Sequence, residues 1–343
     1  MFLCELLSGC AATRLPAAFH RGQRHERRGD HLAALAAYKQ ALASCPDAEG
    51  CLSTRLRIGE QLVALRRFGE AASHYLAIHR GSPLARGRAR ALHRAARLFE
   101  RQLKAPARAG ELYRACVLSF PDEPAGEDAL RDGFALDQRR RGDAKALGRL
   151  LEIYPRVRYR AVADNLLFTA AQLYARRGRD AEARALYQRL LTELPKSPLR
   201  DDALWEIAQL DEAAGRWRAA LSRYRQLLAG RTYPLLGAGS FNSVYVDDAQ
   251  LRRALIYYQR LKDPQRALRE LKLLRDDFKD SRLRDDAAWW IAIIHVEAKR
   301  NHHACVALTT LLRRFPDGNH ARRAAKARRS WSCDEERRNA PNL

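Results

Sequence analysis

AAFHRGQRHERRGDHLAALAAYKQALASCP, residues 17–46, contains one complete structural sentence. Ala34, Tyr38 and Ala41 follow at intervals of four and three, so they share one face of a helix. Pro46, five residues further on, ends that helix, because proline has no amide hydrogen to donate and its ring clashes with the preceding turn. Twelve residues before Ala34 stands Gly22, where the absence of a side chain lets a first helix press closely on the second. Gly29 lies between the two as a turn residue. The stretch therefore predicts a helical hairpin that closes with its own stop signal.

The same spacing recurs along the chain. Ala71, Tyr75, Ile78 and Pro83 repeat it, as do Ala109, Tyr113, Cys116 and Pro121, and Ala183, Tyr187, Leu190 and Pro195. Gly59 and Ala171 occupy the place of Gly22 in their units, and Gly178 that of Gly29. Ala220, Tyr224 and Leu227 after Gly215 lack the proline, and Ala267, Leu271 and Leu274 lead to Lys279 in its stead. Ala304, Leu308, Leu311 and Pro316 make the last copy. Between Pro121 and Pro155 the unit is shortened, running from Gly142 to Pro155. Internal repetition at this period is the mark of a stacked helical array, in which each hairpin buries its apolar face only against its neighbours.

These small, aromatic and proline positions resemble the tetratricopeptide repeat, a helix-turn-helix unit of this length, over roughly residues 15–330. The resemblance implies an all-α, right-handed α-α superhelical solenoid of about eight hairpins, and a protein-binding scaffold, not an enzyme. A finer likeness lies in the connectors. Pro195-Lys196-Ser197-Pro198 before Asp201-Asp202-Ala203, and Asp280-Ser281 before Asp285-Asp286-Ala287, look like those of bacterial outer-membrane and periplasmic repeat lipoproteins. Serine and aspartate cap helix N-termini, and acidic residues in a first turn complement the helix dipole.

The resulting organisation has six parts. Residues 1–14 read as a clipped lipoprotein signal and tether, and 15–158 as N-terminal repeats with a degenerate fourth. Residues 159–228 hold further repeats, 229–248 a long loop, 249–331 the C-terminal repeats with a capping helix, and 332–343 a tail. The loop breaks the proline-terminated pattern with Gly230, Tyr233, Pro234, Gly237, Gly239, Phe241 and Tyr245. Two readings of it stand side by side: a lid or partner-docking element, and an ordinary solvent loop. A basic helix with Arg322, Arg323, Arg328 and Arg329 is expected to cap the last repeat over 319–331.

Of the 343 residues, 63 are lysine or arginine and 40 aspartate or glutamate, for a formal charge of +23. The excess is spread over both halves of the chain and is overwhelmingly arginine, a skew that a genome rich in guanine and cytosine produces by itself. It favours acidic partners and salt-sensitive binding. No segment reaches the ~18 apolar residues of a membrane-spanning helix. Leu7-Ser8-Gly9-Cys10 reads as a lipobox, with Cys10 as the lipidated residue and Ala11-Ala12-Thr13 as the start of a tether. Cys4, Cys45, Cys51, Cys116, Cys305 and Cys333 show neither C-x-x-C nor metal-ligand spacing. Cys45 and Cys51 flank a predicted turn and are read as small buried thiols, a disulfide in an oxidising periplasm being the other reading.

No H-E-x-x-H, G-x-S-x-G, P-loop or full dinucleotide fingerprint occurs, so no catalytic residue, metal site or cofactor is expected. His295 and Glu297 have the H-x-E spacing of zinc deaminases, yet no P-C-x-x-C follows, and His295 falls where Leu62 and Tyr174 sit in other repeats. In the tetratricopeptide family the first helices line a concave groove. The groove-facing positions here hold Phe19, Phe168, Trp205 and Trp289 with Gln23, Gln172 and Gln209, a partial ladder of aromatics and amides. Such a ladder suits an extended peptide or a partner helix, and the aromatics equally suit seams between hairpins. The Lys and Asn with which chaperone-binding members clamp a terminal carboxylate are missing from the equivalent places. The function expected is therefore a non-catalytic scaffold for a protein partner, acidic in character, held by lipid at the periplasmic face of the outer membrane. The rival reading is a cytoplasmic arginine-rich repeat protein that binds nucleic acid or an acidic regulatory partner.

Overall fold

The computed structural model describes residues 15–230, 244–331 and 333, and those residues contain helices and turns but no strand. In chain order come α1 (Ala17–Arg27) and α2 (His31–Leu42), α3 (Ala48–Ala64) and α4 (Phe68–Gly81), α5 (Ala85–Arg101) and α6 (Pro106–Ser119), then α7 (Pro124–Arg141) and α8 (Asp143–Val157). They are followed by α9 (Ala163–Arg176) and α10 (Asp180–Glu193), and by α11 (Arg200–Ala213) and α12 (Trp217–Ala229). Next are α13 (Val246–Leu255), which runs on into a π-helical turn over Ile256–Arg260, and α14 (Pro264–Asp277). Last come α15 (Arg284–Glu297), α16 (Asn301–Arg314) and the capping α17 (Ala321–Ser330). The chain divides into two compact units, one up to Arg176 and one from Arg177. Within each, a helix packs chiefly on the helices before and after it, the mark of an all-α helical-repeat solenoid.

The spacing seen in the sequence is what closes the hairpins. Tyr38 and Tyr75 are buried, and their rings fill the space left by the missing side chains of Gly22 and Gly59. A Cβ on Gly22 would stand 2.7 Å from the ring carbons of Tyr38, and one on Gly59 2.5 Å from those of Tyr75. A buried phenol must still satisfy its hydroxyl. Tyr38, Tyr113 and Tyr224 do so by donating to Glu26 (2.5 Å), Glu100 (2.7 Å) and Glu212 (2.5 Å), each on the first helix of the same hairpin. Burial, reinforced by the neighbouring carboxylate, raises all three phenol pKa values far above the usual range.

Each turn that joins a first helix to its second contains one residue with positive φ. Glycine fills it at Gly29, Gly142, Gly178 and Gly215, and a long cationic side chain at Arg66, Lys104, Lys262 and Lys299. The geometry is thus constant while the residue is not, which explains why the glycine signal looked intermittent in the sequence.

Three expectations need correction. Pro155 does not close its helix: it lies inside α8, which continues to Val157, and the fourth hairpin has helices of 18 and 15 residues joined at Gly142 alone. Ser197 and Ser281 do not cap α11 and α15 directly. Their hydroxyls accept from the amides of Leu199 and Leu283 (3.0 Å each) and so shape the turn one step earlier. Cys45 and Cys51 are not free thiols but are joined by a disulfide, with their Cα atoms 5.2 Å apart across the turn into α3. A second disulfide, which spacing alone did not suggest, ties Cys305 on α16 to Cys333 beyond α17. Cys116 is buried and free, its thiol pKa pushed up to about 12 by burial.

Candidate partner-binding surface

The first helix of each hairpin is the element on which a partner surface is expected, and the two units differ in what they place there. In the unit up to Arg176, α1, α3 and α5 are linked by alternating charge. Glu26 on α1 pairs with Arg57 on α3 (3.2 Å), which also pairs with Glu60 (3.1 Å), and Glu60 pairs with Arg94 on α5 (2.7 Å). Arg94 in turn lies over the ring of Tyr75, 5.7 Å from its centroid. Open recesses flank α5: one against α3, lined by Arg57, Glu60, Arg86, Arg90 and Arg94, and one against α7, lined by Arg90, Arg97, Glu123 and Asp128 among others.

In the unit from Arg177, aromatic stacking does the linking. Trp205 on α11 is half-buried between Tyr224 and Tyr245, the latter stacked 4.9 Å away at 10°. Trp289 on α15 stacks on His320 (5.4 Å, 6°) and on Trp331 (6.5 Å, 22°), which join it to the capping helix. His320 is held there by Asp286 at 3.0 Å. On the same helix as Trp205, Asp211 is fully buried and receives Arg184 (2.8 Å) and Arg216 (2.7 Å).

The residues singled out in the sequence are therefore spread over different environments. Phe19 is 3 % exposed and packs on Tyr38, with ring centroids 5.3 Å apart. Phe168, Trp205 and Trp289 are half-buried. Gln23 is half-buried and within hydrogen-bond distance of His20 Nδ1 (3.2 Å), Gln209 is half-buried, and Gln172 is exposed. Cys10 and most of the 229–248 loop lie outside the described residues, as does the greater part of the tail. Tyr245, at the end of that loop, is described and covers Trp205. His295 is buried at the end of α15 with its ring 5.2 Å from that of His303, and burial pushes its pKa down to about 4, helped by the positive charge of Arg300. Among the described residues no three His, Cys, Asp or Glu side chains gather as metal ligands.

The family assignment rests on the repeats themselves. The sequence pattern of the tetratricopeptide repeat matches residues 166–197 and 248–281, which are the lengths of chain that fold as α9 with α10 and as α13 with α14. The chain carries tetratricopeptide repeats at these two places. No curated protein matches it in sequence. Among solved structures, it is similar to a tetratricopeptide repeat protein from Parabacteroides merdae, with 16% identity, 79% of this chain and 95% of that one covered, and a TM-score of 0.33. It is also similar to PilW, a type IV pilus biogenesis factor (18% identity, 62% and 91% covered, TM-score 0.34). A third is a signal-transduction ATPase with a tetratricopeptide repeat sensor from Pyrococcus horikoshii (12% identity, 86% and 46% covered, TM-score 0.43).

What the spacing of the repeats does not reveal is the arginine row of α5. The signal was available: Arg86, Arg90, Arg94, Arg97 and Arg101 recur at helical spacing. The net charge of either half of the chain averages such a row away, because a stripe is a property of one helix face.

Proposed function

We propose that this tetratricopeptide protein is a non-catalytic scaffold of the bacterial cell envelope. It is tethered by lipid on Cys10 at the periplasmic face of the outer membrane, and it holds an extended segment or helix of an acidic partner protein on its first helices. Scaffolding follows from the repeat family and from first helices whose outer faces stay polar and open, Gln172 and Arg90 among them. Gln23, Gln172 and Gln209 supply amide contacts, while Phe19, Phe168, Trp205 and Trp289 fix the helices that present them. A glutamine both donates and accepts, and so matches the backbone of an extended chain.

The observation that carries the compartment is the pair of disulfides. Cytosolic thiols are kept reduced, whereas disulfides persist in the periplasm and outside the cell. A helical array that buries apolar area in every hairpin has little need of them unless its ends are exposed to a harsher medium.

Expression from the native upstream sequence in a bacterial host, with intact mass, membrane fractionation and thiol counting without reductant, tests this reading. A lipid-modified mass beginning at Cys10, in the membrane fraction, with four cysteines in disulfides, Cys10 blocked as a thioether and Cys116 alone reactive, supports it. A soluble protein that retains Met1 and has all seven thiols free overturns it and favours the cytoplasmic rival.

A further inference from the structure

The helix α5 has the sequence ARGRARALHRAARLFER, and its arginines fall into two groups. Arg86, Arg90, Arg94, Arg97 and Arg101 are spaced four, four, three and four apart and so run down one face. Arg88 lies elsewhere, over the ring of Phe120 at 5.3 Å. The row borders three recesses that share its members. The one against α3 holds Arg57, Arg86, Arg90 and Arg94 with Glu49 and Glu60, and has a volume of about 340 Å³. The one against α7 holds Arg86, Arg90, Arg94 and Arg97 with Glu123 and Asp128, at about 280 Å³. A third continues past Arg97 to Arg101.

Cations outnumber carboxylates in every recess, and the carboxylates present are largely engaged. Arg86 pairs with Glu49, Arg94 with Glu60, and Asp128 with Arg131. Arg90 and Arg97 are exposed and have no ion pair or hydrogen bond among the described residues. Five arginines on one face at this spacing repel one another, and an isolated helix would lose a few tenths of a kcal/mol per like-charge pair. Such a face becomes favourable when an anionic chain lies along it.

We infer that the α5 row, with α3 and α7 as its banks, is the docking channel for an extended acidic peptide segment, a proposal that rests on the scaffold reading above and locates its partner site. Spacing supports an extended peptide. Residues four apart on a helix rise about 6 Å, and alternate residues of an extended strand repeat at about 6.6 Å. Carboxylates on one side of such a strand would meet successive arginines in register. The two unpaired guanidiniums, seven residues apart, are separated by about 10.5 Å along the helix, between the ~6.6 Å and ~13 Å separations of same-side strand residues two and four apart, a difference that two long, flexible arginine side chains span. Arginine binds carboxylate in a planar two-pronged fashion, which suits this edge-on approach.

The embedded Glu49, Glu60, Glu123 and Asp128 argue for peptide over nucleic acid. A peptide with neutral residues between its carboxylates offers amide donors to them, whereas a phosphate at every link would be repelled. Nor is an exposed ring available in the channel for base stacking, since Tyr75 is buried beneath Arg94.

The test is fluorescence anisotropy with a labelled ten-residue peptide of alternating Glu and Thr, against wild type and two charge-matched double variants. Arg90→Glu with Arg97→Glu reverses the unpaired pair, and Arg322→Glu with Arg323→Glu makes the same change in net charge on exposed residues of α17. Circular dichroism checks that all three proteins are equally helical. The channel predicts saturable binding by wild type that the first variant weakens by about tenfold or more and the second by less than about twofold. Equal loss in both variants, no binding by wild type, or tighter binding of a ten-nucleotide single strand at the same salt would each overturn it. If the physiological partner is later captured equally by Arg90→Glu, Arg97→Glu protein, the channel falls while the scaffold reading stands.

Discussion

Reducing the disulfide between Cys305 and Cys333 should free the C-terminal cap, and by much more than reducing Cys45–Cys51 frees the N-terminal turn. The capping helix α17 has ten residues, of which only Ala324 and Ala327 are buried, and four of its residues are arginine. Alone it is too short to be stable in water, where isolated helices need roughly 12–15 residues. It is held by Trp331 against Trp289 and by the covalent link two residues later. Closing a loop of sequence separation 28 removes about 3.6 kcal/mol of unfolded-chain entropy, against about 2.2 kcal/mol for a separation of 6. Because repeat arrays open locally at their ends, the loss appears as opening of the cap and not as global unfolding.

Native-state hydrogen exchange on wild type and on a Cys305→Ala, Cys333→Ala double variant reads this directly. Amides of α17 should exchange up to a few hundredfold faster in the variant, about 3.6 kcal/mol at 1.4 kcal/mol per decade, while those of α3 and α5 stay unchanged. The Cys45→Ala, Cys51→Ala variant should accelerate exchange only around α2 and α3, and less. If exchange in α17 changed by under about threefold, the cap would owe its place to packing and the entropic reasoning would fail.

Four further outcomes are expected. Gly59→Ala should destabilise the second hairpin by about 1–3 kcal/mol in urea titration, because its Cβ would stand 2.5 Å from the Tyr75 ring, and Tyr75→Leu in the same chain should recover part of the loss. Replacing Arg66, Lys104, Lys262 and Lys299 together by glycine should raise the thermal midpoint. Relief of the left-handed strain, about 1–2 kcal/mol per residue, exceeds the roughly 0.5–1 kcal/mol that glycine loses in chain entropy; a fall in midpoint would refute it. Tyr224→Phe should cost about 1 kcal/mol in the same titration, by stripping the buried hydroxyl from its 2.5 Å bond to Glu212.

The fourth concerns acid. His295 titrates near 4 when folded and at about 6.5 when unfolded, so the unfolded chain takes up the extra proton between those values. Stability from this group is whole above pH ~6.5, declines as pH falls, and is gone below ~4. His295→Leu should flatten that decline, measured as the urea midpoint at pH 7 and pH 4.5; an unchanged difference between the two would count against it.

Sequence and structure divide the explanation at definite places. The hairpins were readable because each is a local object: Gly22, Ala34, Tyr38 and Pro46 lie within one stretch, and helix periodicity alone says which of them meet. The same logic found the small-to-tyrosine contact at Gly59 and Tyr75 and the capping helix near residue 321. It overestimated Pro155: the one amide donor that proline removes did not stop α8 from running two residues further, to Val157. The turns at Arg66 and Lys104 leave no mark in the sequence, because the backbone demands a positive φ there while the side chain only tolerates it.

What residue spacing could not settle is how one hairpin meets the next. Whether Trp205 and Trp289 are open or covered depended on Tyr245 and on His320 with Trp331, partners 40, 31 and 42 positions away. The Cys305–Cys333 bond likewise spans a hairpin helix and its cap, and no local periodicity links the two. The arginine row of α5 was present in the letters, but its unpaired members became visible only once Glu49 and Glu60 had been placed against Arg86 and Arg94. Periodicity acts through bonds along a single helix and is written in the chain; the pairing of charges and rings between helices is decided by packing in three dimensions.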